Sequence, residues 1–277
     1  MGDKGAIFLP SGILNDFMYL GKKATVMIAF FRIVCFLLLQ LNAGSPIPSG
    51  VYRFEEQKML QTDFGRQQTM LSGSTRDLDH LVVRVLELRG QVNIHLPKDT
   101  ASEQLLIIRT GEYRVTVHQL SASVGPGSVV FVPVGVACEL VNELASAGQV
   151  YTITYGKSRE TDGDFTPDSA FIMDWDRIPF VAHDKGGIRR FFDRSTALCS
   201  HYEMHMTTLN AGLQSHPPHT HRAAEFILMM DGATEMSIGG QDHRGLPGDL
   251  YFLESEIPHG IRNTGTTSCS YFAFQFQ

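Results

Sequence analysis

Gly125-Pro126-Gly127-Ser128-Val129-Val130-Phe131-Val132 and Leu246-Pro247-Gly248-Asp249-Leu250-Tyr251-Phe252-Leu253 decide the fold, because they are one segment written twice, 121 residues apart. The same offset, without a gap, lays Gly65 on Gly186, Ser74-Thr75 on Ser195-Thr196, His80 on His201, His95 on His216 and Gly111 on Gly232. Asn142 falls on Asn263, and Tyr151, Ile153 and Tyr155 fall on Phe272, Phe274 and Phe276. Chance identities would not share one offset over so long a stretch, so the chain carries two copies of one domain.

Each copy reads as strands. Val115-Thr116-Val117, Met236-Ser237-Ile238, Tyr151 to Tyr155 and Phe272 to Phe276 alternate with the period of two that turns one strand face toward a core. Gly239-Gly240 and Leu246-Pro247-Gly248-Asp249 supply tight turns between such runs. Short strands joined by turns predict an all-β sandwich or barrel in place of a parallel sheet with crossover helices. The polar stretch from Ser158 to Gly163 reads as the start of a linker, assigned to residues 158–185, and Trp175 is expected to pack between the two barrels.

Composition narrows the partners. The 277 residues are 43% hydrophobic and 10% aromatic, which is globular composition, and a formal charge of −6 without a Lys/Arg cluster excludes nucleic acid as a partner. Small molecules and other protein surfaces remain. At the N-terminus, Lys22-Lys23 precede an apolar run from Ala24 to Leu41 and then Asn42-Ala43-Gly44-Ser45-Pro46. That order predicts a signal peptide or N-terminal extension over residues 1–45, with translation starting at Met1 or Met27, and export to a periplasmic or secreted location. Arg32 inside the run argues against a stable membrane span. Cys138, Cys199 and Cys269 are an odd set without CxxC spacing, so no disulfide framework is expected.

The chemistry concentrates in the second copy. His216-Pro-Pro-His219-Thr-His221-Arg-Ala-Ala-Glu225 gathers three histidines and a glutamate, and His259 follows in a Pro-His-Gly turn on a separate stretch. Two residues apart on a strand, His219 and His221 would face one interior point, with Glu225 a further even step along and His259 arriving from a neighbouring strand. Neutral imidazoles with one carboxylate suit a single divalent ion, Mn, Fe, Ni, Zn or Cu, with open positions for water or substrate.

These residues resemble the two motifs of the cupin superfamily, G(x)5HxH(x)3-4E(x)6G and G(x)5PxG(x)2H(x)3N. His219, His221, Glu225 and Gly232 match the first, with one extra residue after Gly212, while Gly248, His259 and Asn263 match the second. Glu254 and Glu256 stand where the second motif has proline and glycine. The resemblance implies a double-stranded β-helix barrel whose metal ligands are His219, His221, Glu225 and His259. In the first copy, Gly127, Pro133, Gly135 and Asn142 keep the turn scaffold, but Cys138 replaces the metal histidine, and Lys98, Thr100 and Gln104 replace the other ligands. The whole therefore resembles a bicupin. An N-terminal barrel over residues 46–157 lacks the ion, and a C-terminal barrel over residues 186–277 holds it.

Three further residues are candidates for acid–base work near the ion: Glu254 and Glu256 as bases, and His216 as a proton donor or substrate contact. His201, Glu203 and His205 alternate with Tyr202, Met204 and Met206, and that parity assigns them to the solvent or interface face. The resemblance spans isomerases, decarboxylases, hydrolases and dioxygenases, including two-barrel ureidoglycine aminohydrolases and one-barrel sugar-acid enzymes, so the fold does not choose a reaction. The expectation is Lewis-acid catalysis on a small oxygen-rich substrate such as a sugar acid, hydroxy acid or ureide. The alternatives are a non-catalytic metal- or ligand-binding module and a dioxygenase if the ion is iron or copper. A homodimer is expected, since exposed strand edges need cover.

Overall fold

The computed structural model describes residues 44–55, 57–157 and 169–277. The proposed signal segment and the first part of the linker lie outside these residues, apart from Gly44 and Ser45.

The repeat is visible strand by strand. In the first copy β1 (Gly50–Tyr52), β2 (Leu60–Gln61), β3 (Gly65–Gly73), β4 (His80–Leu88), β5 (Asn93–Leu96), β6 (Ser102–Thr110), β7 (Tyr113–Val117), β8 (Leu120–Val124), β9 (Val129–Val132), β10 (Cys138–Asn142) and β11 (Gly148–Gly156) follow in order. In the second they recur as β12 (Phe171–Met173), β13 (Val181–His183), β14 (Gly186–Arg194), β15 (Tyr202–Leu209), β16 (Ala224–Asp231), β17 (Thr234–Ile238), β18 (Gln241–Gly245), β19 (Leu250–Leu253), β20 (His259–Asn263) and β21 (Cys269–Phe276). Only β5 lacks a counterpart strand. Its place is taken by the segment that carries His216.

In each copy a large sheet packs on a small one. The first pairs β12-β9-β6-β11-β4-β3-β2 with β5-β10-β7-β8, and the second pairs β1-β19-β16-β21-β15-β14-β13 with β18-β17-β20. Leu106, Ile108, Val130 and Val150 meet Val115, Val117 and Leu140 inside the first barrel. Ile227, Tyr251, Leu253 and Tyr271 meet Met236, Ile238 and Ile261 inside the second. The outer faces of the two large sheets then bury one another through Leu105, Ile107, Phe131, Tyr151 and Ile153 against Phe226, Leu228, Phe252, Phe272 and Phe274. The described residues thus form a four-layer all-β fold, two jelly-roll barrels back to back. The central strands β6, β11, β16 and β21 are apolar on both faces, as burial on both faces demands.

The barrels exchange their first strands. β1 pairs with β19 through Gly50↔Phe252, and β12 pairs with β9 through Phe171↔Phe131, which is the same register moved by the repeat. Side chains from the opposite barrel fasten both ends: the Phe54 amide donates to Asp249 Oδ1 at 2.9 Å, and the Trp175 amide donates to Ser128 Oγ at 3.0 Å. Residues 46–157 and 186–277 are thus not closed units, and the second half of the 158–185 segment contributes two strands and a 3-10 turn (Trp175–Arg177).

Trp175 lies between the barrels, over the Arg189 guanidinium at 4.3 Å and against Gly127 of the first. Gly127 has a φ of +87° and a Cβ there would fall 2.5 Å from the indole, so both conformation and space require glycine. Two buried asparagines explain the last residue of the second motif. Asn142 donates to Leu88, Arg89 and Ser146 carbonyls, and Asn263 donates to the equivalent Leu209 and Thr267 carbonyls. Each side chain also accepts an amide two residues on, from Leu144 and from Gly265.

Candidate metal centre

The second barrel brings together the four residues expected to bind an ion. His219, His221 and His259 present ring nitrogens within 4.8 Å of one another. Glu225 Oε2 lies 3.0 Å from His221 Nε2 and 3.1 Å from His259 Nε2. The two shorter distances, 3.0 and 3.1 Å, are what neighbouring ligands make around an ion bound at about 2.1 Å.

The backbone delivers them differently from the expected continuous strand. Of the four, Glu225 lies within β16 and His259 opens β20, whereas neither His219 nor His221 is in a strand. His221 lies in the loop before β16, and His219 forms an isolated bridge in which its amide and carbonyl exchange 3.0 Å bonds with His259, the first residue of β20. Pro217 and Pro218, which have no N–H to donate, precede that bridge and prevent a longer ladder.

The donor chemistry fits a metal. His221 Nδ1 faces the Ala223 carbonyl at 2.8 Å, and His259 Nδ1 faces the Ile257 carbonyl at 2.8 Å. Each Nδ1 therefore carries the proton, and each Nε2 lone pair is aimed at the common point. Burial pushes the Glu225 carboxyl up, but the hydrogen bonds and charges of His221 and His259 outweigh it and hold it at about 2. The Glu225 hydrogen bond in turn raises His221, whereas desolvation and the neighbouring imidazoles lower His219. Without an ion the carboxylate is an anion gripped by protonated imidazole, and with an ion those protons are displaced.

The three acid–base candidates take distinct places. His216 packs edge-on against His219, ring centroids 4.2 Å apart, at the outer rim of the cluster. Glu256 sits beside His221, its amide donating to the His221 carbonyl at 2.9 Å. It also adopts a φ of +65°, close to the +74° of Gly135 at the same place in the first copy, so a glycine conformation is imposed on a carboxylate residue. Glu254 instead organises its own turn: Oε1 accepts from the Ser255 amide, and its amide donates to Ser49 Oγ.

The expected facing of Glu203 and His205 is corrected. Leu209, on the same parity of β15, lies in the core inside the second barrel, whereas Tyr202 and Met204 face the other barrel. Glu203 and His205 therefore point into the barrel. His205 Nδ1 lies 2.7 Å from Glu203 Oε1, the two side chains being 19% and 17% exposed. The sequence misled here because both faces of β15 are buried, so the larger apolar residues mark the inter-barrel face and not the barrel interior. His201 is turned outward to Asp193 at 3.0 Å.

Among the described residues of the first barrel no comparable group of metal-ligating side chains forms. Cys138 occupies the place of His259, fully buried among apolar neighbours that push its thiol up to about 12.

The cupin domain family matches residues 205–274, which span the whole cluster. Solved structures of similar fold include the formate complex of Lactobacillus farciminis oxalate decarboxylase, 10% identical over 84% of this chain and 88% of that one with a TM-score of 0.65. Protein YlbA from E. coli is 12% identical over 86% of this chain and 96% of its own, TM-score 0.63. Hazelnut (Corylus avellana) vicilin is 14% identical over 85% of each chain, TM-score 0.60. At such identities the likeness speaks for the fold alone. Among curated proteins no relative of the chain is found by sequence.

Proposed function

We propose, for a chain whose residues 205–274 match the cupin domain family and whose fold is that of two back-to-back jelly-roll barrels, a metal-dependent enzyme that acts on a small oxygen-rich substrate by Lewis-acid catalysis. The observation that carries this reading is the convergence of His219, His221, His259 and Glu225 in the second barrel, with two Nε2 lone pairs fixed by backbone carbonyls. When bound, a divalent ion would polarise a carbonyl or hydroxyl oxygen of the substrate. The chain's own residues supply the rest. Glu225 compensates charge, the Nδ1 bonds keep the imidazoles in the ligating tautomer, and Ile227, Tyr251, Leu253 and Ile261 make the interior apolar and strengthen electrostatic contacts. Glu256, whose backbone is tied to His221 in a turn of positive φ, is the candidate to take or give a proton there.

The test is turnover across a panel of hydroxy acids, sugar acids and ureides by protein loaded in turn with Mn, Fe, Ni, Zn and Cu. Activity abolished by chelation and restored by one of these ions supports the proposal. Absence of turnover throughout the panel with every ion overturns it in favour of a binding module.

A further inference from the structure

The interior of the second barrel holds a second polar pair that metal binding does not use. We infer that Glu203 and His205 form the acid–base couple for a ligand held at the metal position, His205 acting as the proton-transfer group and Glu203 positioning it. This rests on the metal reading above.

The sheet register places the pair. Glu225 on β16 is opposite Gln275 on β21, and Gln275 is opposite Glu203 on β15. One row along, Ile227 is opposite Ala273, and Ala273 is opposite His205. All six side chains share the barrel-interior face, so the pair stands two strand spacings, about 10 Å, from the backbone of Glu225. A ligand of a few heavy atoms bridges such a gap once side chains reach in from both sides.

The chemistry is that of an oriented histidine. With Nδ1 donating to Glu203 Oε1 at 2.7 Å, the second nitrogen of His205, Nε2, keeps the lone pair that can accept a proton. In the proposed step Nε2 takes a proton from a ligand O–H or C–H, the resulting imidazolium is held by the Glu203 carboxylate, and the same proton is returned to the product. Both side chains keep some exposure, 19% and 17%, so the pair is not sealed from small molecules.

The first barrel acts as an internal control. At the same offset it has Val82 for Glu203 and Arg84 for His205, just as it has Gln104 for Glu225 and Cys138 for His259. Scaffold residues such as Asn142 and Asn263 are kept in both copies. The pair therefore travels with the metal ligands and not with the fold.

The experiment is nitrogen-15 histidine NMR of the zinc-loaded protein, combined with mapping of diethyl pyrocarbonate modification by mass spectrometry. The expected result is His205 in the Nδ1–H form, modified at least tenfold faster than His219, His221 and His259, with the Nε2–H form appearing in Glu203→Gln at unchanged zinc content. A proton fixed on Nε2 of His205 in the native protein, or a His205 as unreactive as the three ligands, overturns the inference. Failure of the native protein to bind zinc counts against the metal reading instead, and is scored separately by elemental analysis. With any substrate found, His205→Gln is expected to lower kcat by about 100-fold or more while metal content stays constant, and an unchanged kcat would show the pair to be merely structural.

Discussion

Replacing Glu225 by glutamine isolates the grip between this carboxylate and the two imidazoles, because the amide keeps the shape and removes the charge. In the metal-free protein the carboxyl is held at about 2 against an ordinary 4.5. At 1.36 kcal/mol per pH unit that difference corresponds to about 3 kcal/mol of stability. Because the native value is the lower one, this stability is present above about pH 4.5 and is lost as the pH falls toward 2. His221 acts with the opposite sign. Its value is raised, so its share is complete below the ordinary imidazole range and is lost as the pH rises through the native value. Urea unfolding of chelator-treated native and Glu225→Gln protein should therefore show a gap of about 3 kcal/mol at pH 6 that shrinks steadily toward pH 3. A gap of the same size at both pH values would refute the reasoning, since it would mean that the carboxylate's charge is not what holds the site.

Metal affinity should follow the protons. Titrating zinc into the apo protein between pH 8 and pH 5 should show affinity falling, with the fall setting in above the ordinary imidazole value because Glu225 favours protonated His221. A pH-independent affinity would contradict this. Asn263→Ala removes two 2.8 Å bonds to carbonyls and one accepted amide from a buried turn, and at about 1 kcal/mol each should cost about 3 kcal/mol in chemical denaturation. Asn142→Ala in the other barrel should cost a similar amount, and a cost below about 1 kcal/mol for either would show the turn to be independent of it. Gly127→Ala should lower the melting temperature by several degrees through its clash with Trp175 and its positive φ, and an unchanged value would argue against Trp175 packing on this turn.

Much of this was legible in the sequence because one constraint was written twice. A single offset predicts not only the paired residues Phe131/Phe252 and Asn142/Asn263 but also strand boundaries, since β7 and β17, β9 and β19, and β10 and β20 coincide under it. The four ligand candidates were readable for the same reason, standing out against a copy that lacks them. What the pattern could not show is which partner a short strand chooses. The three-residue β1 and β12 carry alternation too brief to mark a face, and their partners lie in the other barrel, about 200 and 40 residues along the chain. Nor could it separate two apolar faces of one sheet. Tyr202 and Met204 identify a buried face correctly, yet the opposite face of β15, carrying Glu203, His205 and Leu209, is interior too. The motif puts glycine where Glu256 stands, but that the glutamate keeps the left-handed backbone is a property of the folded turn.

Elemental analysis of the purified protein beside His259→Ala, with circular dichroism to verify that both are folded, addresses the heart of the account. It predicts about one transition-metal ion per chain in the native protein and essentially none in the variant. Equal metal in the two, or a folded native protein that takes up no ion from any of the five metals offered, would contradict it.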